Sequence, residues 1–359
     1  MKKSSAAKAL GQAFTTNLLQ WNEKQNRRQM PWKGEKDPYK IWLSEVILQQ
    51  TRVEQGLAYY NRFVQAFPTV HHLASAPEQQ VFKLWEGLGY YTRCKNLIAS
   101  AHYISEDLKG VFPADYASIV QLKGVGPYTA AAIASFAYNL PYAVLDGNVF
   151  RVLARIFGNE TPVDSTGGKK LFSHLAQQLL PPQQAGTYNQ AIMDFGATVC
   201  KPQPDCAVCF FNNQCIAFLR NKQLLLPVKT KQNKLKERWF HYIVIQHKDA
   251  VALYKRTAKD IWQNLYEPLL IESDKSLSKN NLLAQLKKSY SLSTQDYEVI
   301  SAAAQRTQRL SHQQIHFSFI HLLLHKKRNL ENSVWVSKED LHNYPFPKTV
   351  HEFLSKNIS

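Results

Sequence analysis

Residues 122–151 read LKGVGPYTAAAIASFAYNLPYAVLDGNVFR and contain a glycine-rich turn followed by a run of small residues. In this turn Gly124 and Gly126 flank a single apolar residue, and the small residues that follow predict a helix from 128 to 138. Glycine lets the backbone adopt turn conformations and approach a partner closely. The free N–H groups at the start of the helix favour binding of an anion, such as a phosphate of a nucleic-acid backbone.

Asp146 follows this predicted helix, after a short apolar run and ahead of a second helical pattern from 149 to 157. On the residues alone, the segment could be a packing hairpin in which Asp146 is an ordinary N-cap. The whole segment resembles the helix-hairpin-helix and Gly/Pro-Asp element of the DNA glycosylases related to endonuclease III. That resemblance implies that Gly124, Gly126 and the neighbouring Lys123 contact a DNA phosphate, and that Asp146 faces the deoxyribose of the target nucleotide.

The composition suits a large intracellular protein with a polyanionic partner. A length of 359 residues predicts two domains of ordinary size, and 45% hydrophobic residues are enough to build a core in each. The net charge of +17 is typical of nucleic-acid-binding proteins, although charge alone would fit any soluble basic protein. There is no apolar run of about 18 residues for a membrane span, and the N-terminus lacks the apolar segment of a signal peptide. We therefore expect an intracellular protein without disulfides.

Glu45 is the only ionisable residue within residues 41–50, IWLSEVILQQ. An apolar setting disfavours the charged carboxylate and would keep it as an acid ready to donate a proton. The residue could equally lie on a narrow polar helix face with Gln49, or pair with Arg52. The segment WLSEVILQQT resembles the adenine-specific branch of the same family, the adenine DNA glycosylases of the MutY type. This implies that Glu45 protonates the adenine ring and makes it a leaving group.

Glu45 and Asp146 together are similar to the two carboxylates of glycoside hydrolysis, where one acid protonates the leaving group and the other meets an oxocarbenium-like sugar. The family resemblance implies that Asp146 stabilises or traps this cation before water attacks, and that Tyr128 supports the same side of the sugar. Asn148 would orient water or substrate, although it could equally be a turn residue. Relatives resembling endonuclease III carry a Lys at the position of Tyr128, and its amine forms a Schiff base with the sugar. Since Tyr128 has no amine, we predict a monofunctional glycosylase without strong lyase activity.

Gln50 and Tyr90 are the candidates for expelling the target base from the duplex. Tyr90 lies in a glycine-containing turn, residues 87–91, which could equally be a packed loop with a Tyr–Tyr contact. In the family, the residues that match Gln50 and Tyr90 push into the base stack. Extruding a base costs a few kcal/mol, so such a wedge has a physical purpose.

Four of the five cysteines follow the spacing C-x5-C-x2-C-x5-C; they are Cys200, Cys206, Cys209 and Cys215. Thiols this close together in an intracellular chain predict a metal site. Zinc would also accept four sulfurs, but its structural sites usually use two C-x-x-C-like pairs, and one compact loop favours an iron–sulfur cluster. The glycosylase family carries a [4Fe–4S] cluster at this place, with one residue more between the first two cysteines than this chain has. We expect the cluster to be structural and to face DNA.

The sequence changes character after residue 220. Residues 1–220 predict a helical glycosylase domain, the basic and irregular segment 221–238 a linker, and residues 239–359 a small α+β domain. Period-two patterns in the last of these predict strands, and one segment predicts a helix; the strands are 241–246, 250–255, 316–321 and 334–336, and the helix is 279–290. The family resemblance implies that this domain is Nudix-like and recognises 8-oxoguanine. The catalytic glutamates of active Nudix hydrolases are missing, which favours recognition without hydrolysis.

Residues 309–312, RLSH, resemble the Phe-Ser-His loop with which the family inspects 8-oxoguanine. Ser311 and His312 match this loop and could meet the edge of the damaged base. Leu310 replaces the aromatic residue and lacks its flat face. The alternative is a strand-entry turn capped by a serine.

With the family resemblance, the sequence predicts an all-α helix-hairpin-helix domain with an iron–sulfur loop, followed by a small α+β Nudix-like domain. The predicted activity is removal of adenine mispaired with 8-oxoguanine or guanine in double-stranded DNA, by a monomer in the cytoplasm at the nucleoid. One alternative is a pyrimidine glycosylase/lyase similar to endonuclease III, against which Tyr128 and the additional domain argue. Another is a non-catalytic DNA-lesion sensor, which would have no need for the pair Glu45 and Asp146.

Overall fold

The computed structural model describes residues 2–230 and 235–358, so residues 231–234 of the predicted linker lie outside the described residues. The chain forms two compact units. The first comprises Met1–Ala74 and Ala99–Lys231, and the second comprises Ser75–Ile98 and Gln232–Ser359. The segment Ser75–Ile98, which the sequence pattern assigns to the helical domain, thus groups with the second unit. The domain boundaries themselves stay a prediction.

Helices follow one another from the N-terminus to residue 219, with a short 3-10 helix at Pro182–Gln184. They are α1 (Lys2–Lys24), α2 (Pro38–Leu48), α3 (Val53–Ala66), α4 (Val70–Ser75), α5 (Glu78–Trp85), α6 (Thr92–Glu106), α7 (Tyr116–Ile119), α8 (Pro127–Tyr138), α9 (Gly147–Ile156), α10 (Thr166–Leu179), α11 (Ala185–Thr198) and α12 (Ile216–Leu219). The helix predicted at 128–138 is confirmed by α8, and the one predicted at 149–157 corresponds to α9, which begins two residues earlier.

Local signals explain where the helices that carry the site begin and end. Asp37 caps α2 by accepting a hydrogen bond from the Tyr39 N–H at 2.9 Å. Pro38 begins the same helix, where its missing N–H removes no intrahelical bond. α8 ends at Asn139, whose φ of +52° is the left-handed conformation that ends many helices.

The apolar core of the first unit joins helices to the cysteine segment. Phe14, Phe195 and Phe211 are completely buried, and the ring centroid of Phe211 lies 5.2 Å from that of Phe14 and 5.1 Å from that of Phe195. Since Phe211 lies between the third and fourth cysteines of the motif, burial of its ring anchors that segment to α1 and α11.

Within the described residues, the second unit contains a seven-stranded mixed sheet. Its strands are β1 (Lys236–His247), β2 (Ala250–Lys255), β3 (Tyr266–Glu267), β4 (Leu269–Ser273), β5 (Tyr297–Arg309), β6 (Gln313–Leu324) and β7 (Ser333–Ser337). The order is β3-β2-β1-β6-β5, with β4 paired to β1 and β7 to β2. β1 and β6 run parallel, and the other pairs are antiparallel.

Helices cover both faces of this sheet. α13 (Lys279–Tyr290) contributes Leu282 to a buried cluster with Ile320 of β6. On the opposite face, Phe353 of α14 (Lys348–Asn357) stacks on Phe319 with ring centroids 4.2 Å apart.

The predicted strands 241–246, 250–255, 316–321 and 334–336 lie within β1, β2, β6 and β7, and α13 has the predicted bounds. Residues 236–238 of the predicted linker lie in β1, and β3, β4 and β5 were not predicted. A helical unit followed by a strand-rich one confirms the predicted fold class. None of the described helices is long and apolar enough to cross a membrane.

Candidate functional site

A cavity of about 460 Å³ in the first unit brings together the predicted catalytic residues. All four predicted catalytic residues line this cavity, and so does Gln50; the four are Glu45, Tyr128, Asp146 and Asn148. α2 supplies Glu45, the first turn of α8 supplies Tyr128, and the start of α9 supplies Asp146 and Asn148. This volume lies within the range of small-molecule sites in proteins, which usually measure a few hundred Å³.

Glu45 is buried, with 6% of its surface exposed, among the apolar residues of α2. Burial raises the pKa of Glu45 from 4.5 to about 7; the hydrogen bond with the Tyr128 side chain lowers it, and the negative charge of Asp146 raises it. At neutral pH the carboxyl group therefore carries its proton in a large fraction of molecules. A carboxylic acid with a pKa near the working pH is well matched to general acid catalysis.

Asp146 is both the N-cap of α9 and part of the cavity wall. Its Oδ1 accepts a hydrogen bond from the Val149 N–H at 2.7 Å, and its Oδ2 accepts one from Asn148 Nδ2 at 2.9 Å. Burial raises the pKa of Asp146, and the hydrogen bonds from Val149 and Asn148 act in the opposite direction. The capping role and the functional role, which the sequence left as alternatives, are therefore compatible in one side chain.

Arg151 connects Asn148 to the cysteine segment. Its Nη2 donates to Asn148 Oδ1 at 2.6 Å and to the Gly196 carbonyl at 2.7 Å, and its Nε donates to the Cys200 carbonyl at 2.7 Å. Asn148, which could equally have been a turn residue, is thus held from both sides and in turn orients Asp146.

The loop that precedes Asp146 is fixed by Asn189 of α11, a fully buried side chain. Asn189 Nδ2 donates to the Tyr142 carbonyl at 2.8 Å and to Ser135 Oγ at 2.9 Å, while Asn189 Oδ1 accepts from the Val144 N–H at 3.2 Å. Because these bonds are buried, losing them would leave polar groups unpaired in the core. The amide therefore positions Asp146 indirectly.

The predicted phosphate-binding turn lies directly before α8. Gly124 has a φ of +80°, which requires glycine or strain, and Lys123 is exposed. A Cβ added at Gly126 would meet no atom within 4 Å, so packing inside the protein does not explain this glycine. Open space beside the first N–H groups of α8 permits close approach of an anion.

Gln50 and Tyr90 share an unusual backbone conformation. Their φ angles are +57° and +49°, in the left-handed region that non-glycine residues seldom adopt. Both side chains are exposed, Tyr90 by 45%. The guanidinium carbon of Arg93 lies 5.3 Å from the centroid of the Tyr90 ring. Eight other non-glycine residues in the described part of the chain have a positive φ as well, so the backbone conformation alone does not single out these two positions.

Ser311 and His312 form the tip of the hairpin between β5 and β6. The Leu310 N–H donates to the Gln313 carbonyl at 2.7 Å, which closes the turn. Behind the tip, Gln313 Nε2 lies 2.8 Å from His312 Nε2, and Gln313 Oε1 accepts a hydrogen bond from Arg238 Nη1 at 3.0 Å. The tip and Tyr90 line one cavity of about 400 Å³ within the second unit.

Cys200, Cys206, Cys209 and Cys215 are free thiols that line one common cavity. Arg155, almost fully buried, borders it: its Nη1 lies 3.4 Å from Cys200 Sγ and 2.6 Å from the Lys201 carbonyl. Among the described residues, no group of three or more His, Cys, Asp or Glu is arranged to hold a single metal ion. Four thiols around one shared, nearly closed space are the donor set that an iron–sulfur cluster uses, and the neighbouring guanidinium suits the negative charge of thiolates.

Arg28, Asn189 and Asp194 also support the cavity, although none of them was predicted from the sequence. Asp194 could have been found, because it is the only charged residue in α11 and lies among Met193, Phe195 and other apolar residues. That is the same signal that identified Glu45. Asn189 and Arg28 carry no comparable signal, since their importance comes from partners far away in the sequence.

Comparison with known proteins identifies two family models. The model of the HhH-GPD superfamily base excision DNA repair proteins matches residues 43–180, and the model of the NUDIX domain matches residues 241–356. The adenine DNA glycosylase of Buchnera aphidicola subsp. Baizongia pistaciae is 31% identical over 354 residues, which cover 96% of this chain and 96% of that protein.

A human relative and a solved structure extend this comparison. The human adenine DNA glycosylase is 42% identical over 221 residues, 59% of this chain and 40% of that protein. A thermostable thymine-DNA glycosylase structure superimposes with a TM-score of 0.56 and 27% identity, covering 60% of this chain and 99% of that one.

Proposed function

The chain belongs to the adenine DNA glycosylases, and we propose that it removes adenine from duplex DNA in which the adenine is paired with 8-oxoguanine or guanine. Its relatives and its HhH-GPD domain make it a DNA N-glycosylase of base-excision repair. The observation that supports the proposed site best is the buried Glu45 with a pKa of about 7, hydrogen-bonded to Tyr128 and sharing its cavity with Asp146.

Glu45 acts as the general acid in this proposal. An extruded adenine enters the cavity, and the protonated carboxyl group of Glu45 transfers its proton to the adenine ring. The N-glycosidic bond then breaks, and its electron pair leaves with the neutral base. Protonation of the leaving group by a positioned acid contributes a rate factor of about 10²–10⁴.

Asp146 stabilises the cationic sugar that remains. Its carboxylate is oriented by Val149 and Asn148 before substrate arrives, so little reorganisation is needed when positive charge develops. Asn148 orients water or substrate, and Tyr128 supports the same side of the sugar. Water then adds to the cationic sugar and releases a proton to solvent, which completes an abasic site. Tyr128 also carries no amine for a Schiff base, which supports a monofunctional enzyme.

DNA is held and distorted by exposed groups. Lys123, Gly124 and Gly126 bind a backbone phosphate at the start of α8, and most of the affinity should be sensitive to salt. Gln50 and Tyr90 act as wedges that replace the extruded base in the stack. We take the active species to be a monomer that acts where genomic DNA is found, in the cytoplasm at the nucleoid.

Recognition of 8-oxoguanine is assigned to the second unit. Ser311 and His312 project from a hairpin tip beside Tyr90, and Gln313 and Arg238 support the tip from behind. A hydroxyl and an imidazole can read the edge of a damaged base by hydrogen bonds.

The four cysteines are proposed to hold a [4Fe–4S] cluster, which would crosslink residues 200–215. Arg155 would offset part of the negative charge of the thiolates, and Phe211 would fix the loop to the core. The residues between Cys200 and Cys215 would then be held in the conformation that presents them to DNA.

The Glu45→Gln variant tests the assignment of the acid. It should bind a duplex that contains an 8-oxoguanine:adenine pair as the wild type does, yet release adenine at least about 100-fold more slowly under single-turnover conditions. Release by the wild type should fall as pH rises through about 7, because Glu45 loses its proton. A Glu45→Gln variant with the wild-type rate would reject Glu45 as the acid.

A further inference from the structure

Asp194 of α11 is a completely buried carboxylate that binds four side chains. It accepts hydrogen bonds from Asn26 Nδ2 at 2.8 Å, Arg28 Nη1 at 2.9 Å, Lys33 Nζ at 2.9 Å and Gln190 Nε2 at 2.9 Å. Three of these donors come from one stretch of the chain, residues 26–33, which connects α1 to α2 and forms no helix or strand of its own.

This stretch forms one wall of the cavity that contains Glu45. Arg28, Met30 and Trp32 all line the cavity. Lys33 closes the wall, since its Nζ donates both to Asp194 Oδ2 at 2.9 Å and to the Arg28 carbonyl at 2.8 Å. Contacts with a single carboxylate therefore help to set the position of the wall, together with the packing of Trp32 on Tyr60, whose ring centroids lie 5.2 Å apart.

Gln190 and Met193, on the same helix as Asp194, line the cavity as well. Asp194 thus joins an irregular segment to a regular helix whose side chains form part of the same cavity. A loop without a hydrogen-bonded ladder needs such outside partners to keep one conformation.

Burying a carboxylate with two cations is not an efficient way to gain stability. Desolvation of the charges offsets much of their attraction, and apolar residues of the same volume often stabilise a protein as well or better. The side chains of Arg28 and Lys33 are 22% and 23% exposed, so either could reach solvent if Asp194 did not hold it. This arrangement is therefore better explained by its holding residues 26–33 in one conformation than by a gain in stability.

We propose that Asp194 is a positioning residue of the adenine pocket: through Arg28 and Lys33 it holds residues 26–33 so that an extruded base meets Glu45 at reacting distance. This inference rests on the proposed function. It predicts an effect on the rate of the chemical step and not on the affinity for DNA, because none of the four side chains that Asp194 binds belongs to the proposed phosphate-binding turn at Lys123–Gly126.

The experiment measures two quantities for each variant. The first is the single-turnover rate of adenine release at saturating enzyme from an 8-oxoguanine:adenine duplex. The second is the Kd for a duplex with a tetrahydrofuran abasic analogue opposite 8-oxoguanine, which puts no base into the pocket. The variants are Asp194→Asn, Lys33→Met and the double variant, and Glu35→Gln is the control. Glu35 pairs with Lys40 at 3.4 Å, and it is not one of the four side chains that Asp194 binds.

We expect Asp194→Asn to release adenine about 10- to 100-fold more slowly, the scale of effect of a misplacement near 1 Å. The Kd for the abasic-analogue duplex should stay within about threefold of wild type. Lys33→Met should lower the rate in the same direction, and the double variant should be no slower than Asp194→Asn, because both changes break one connection. Glu35→Gln should match the wild type.

Three results would overturn the proposal: an unchanged rate in Asp194→Asn, effects of the two changes that multiply, or a rate that falls only in step with duplex binding and folded fraction. Lys33 is partly exposed, so Lys33→Met tests the idea even if Asp194→Asn does not fold. Failure of the wild type to release adenine would instead reject the proposed function.

Discussion

Asn148 donates a hydrogen bond of 2.9 Å to Asp146 Oδ2 while its own Oδ1 accepts one of 2.6 Å from Arg151. The carboxylate is thereby oriented by a side chain that is itself held in place. Arg151 continues the connection to the Cys200 carbonyl. The geometry of Asp146 therefore depends partly on Arg151, which is not among the residues that line the cavity.

Gly196→Ala should slow adenine release without touching the substrate. A Cβ at this position of α11 would lie 2.7 Å from Asn148 Cβ and 3.1 Å from the Asn148 carbonyl oxygen, so the start of α9 must shift. We expect a rate at least about tenfold lower and a loss of stability of about 1–3 kcal/mol, the usual cost of overpacking. The measurements are single-turnover base release and urea unfolding.

Gly167→Ala is the matched control for that variant. Gly167 lies in the first turn of α10, and an added Cβ there would meet no atom within 4 Å. This substitution should leave the rate unchanged and be neutral or slightly stabilising. Equal rates for the two glycine variants would show that crowding at Asn148 does not matter for catalysis.

Glu45→Gln should alter stability in a pH-dependent way. Between pH 4.5 and about 7 the unfolded chain has lost the Glu45 proton whereas the folded protein keeps it, so wild-type stability falls as pH rises through this window. Glutamine does not titrate. The variant should therefore gain stability over the wild type from pH 5 to pH 8, by up to roughly 3 kcal/mol. Urea midpoints at both pH values measure this, and a difference that stays constant would contradict the raised pKa.

Ser311→Ala combined with His312→Ala should reduce discrimination between damaged and undamaged partners. The two side chains form an exposed hairpin tip, so the fold should be retained. We expect the ratio of the rates of adenine release from 8-oxoguanine:adenine and guanine:adenine duplexes to approach one. The main cause should be a lower rate on the 8-oxoguanine:adenine duplex. A ratio equal to that of the wild type would remove the hairpin tip from recognition.

Anaerobically purified protein should contain iron and acid-labile sulfide in amounts near four of each per chain. Substituting Cys209 by Ser should lower both and should weaken DNA binding, because the loop between Cys200 and Cys215 loses its crosslink. Zinc in a one-to-one ratio with the chain, without sulfide, would contradict the proposed cluster.

The parts of this molecule that the sequence predicts are those whose signals are local. The bounds of α8 and α13 follow from composition and from capping residues, and a lone carboxylate in an apolar segment indicated the burial of Glu45. The hydrogen bond between Glu45 and Tyr128, which joins two helices, has no local signal.

Long-range pairings account for most of what the sequence does not predict. β1 and β6 pair in parallel although 65 residues separate His247 from Gln313 in the printed sequence, and β5 includes shifts in register. Likewise, Asp194 accepts hydrogen bonds from Asn26, Arg28 and Lys33, which lie more than 160 positions earlier in the sequence. Period and propensity identify single elements, whereas such partners are chosen by tertiary packing.

The decisive experiment is a single-turnover incubation with a duplex that carries one 8-oxoguanine:adenine pair, with a thymine-glycol duplex in parallel and alkali added to half of each reaction. Free adenine should be released and the adenine strand should be nicked only after alkali, since Tyr128 cannot form a Schiff base. Cleavage of the thymine-glycol strand without alkali, or binding to both duplexes without release of any base, would contradict it.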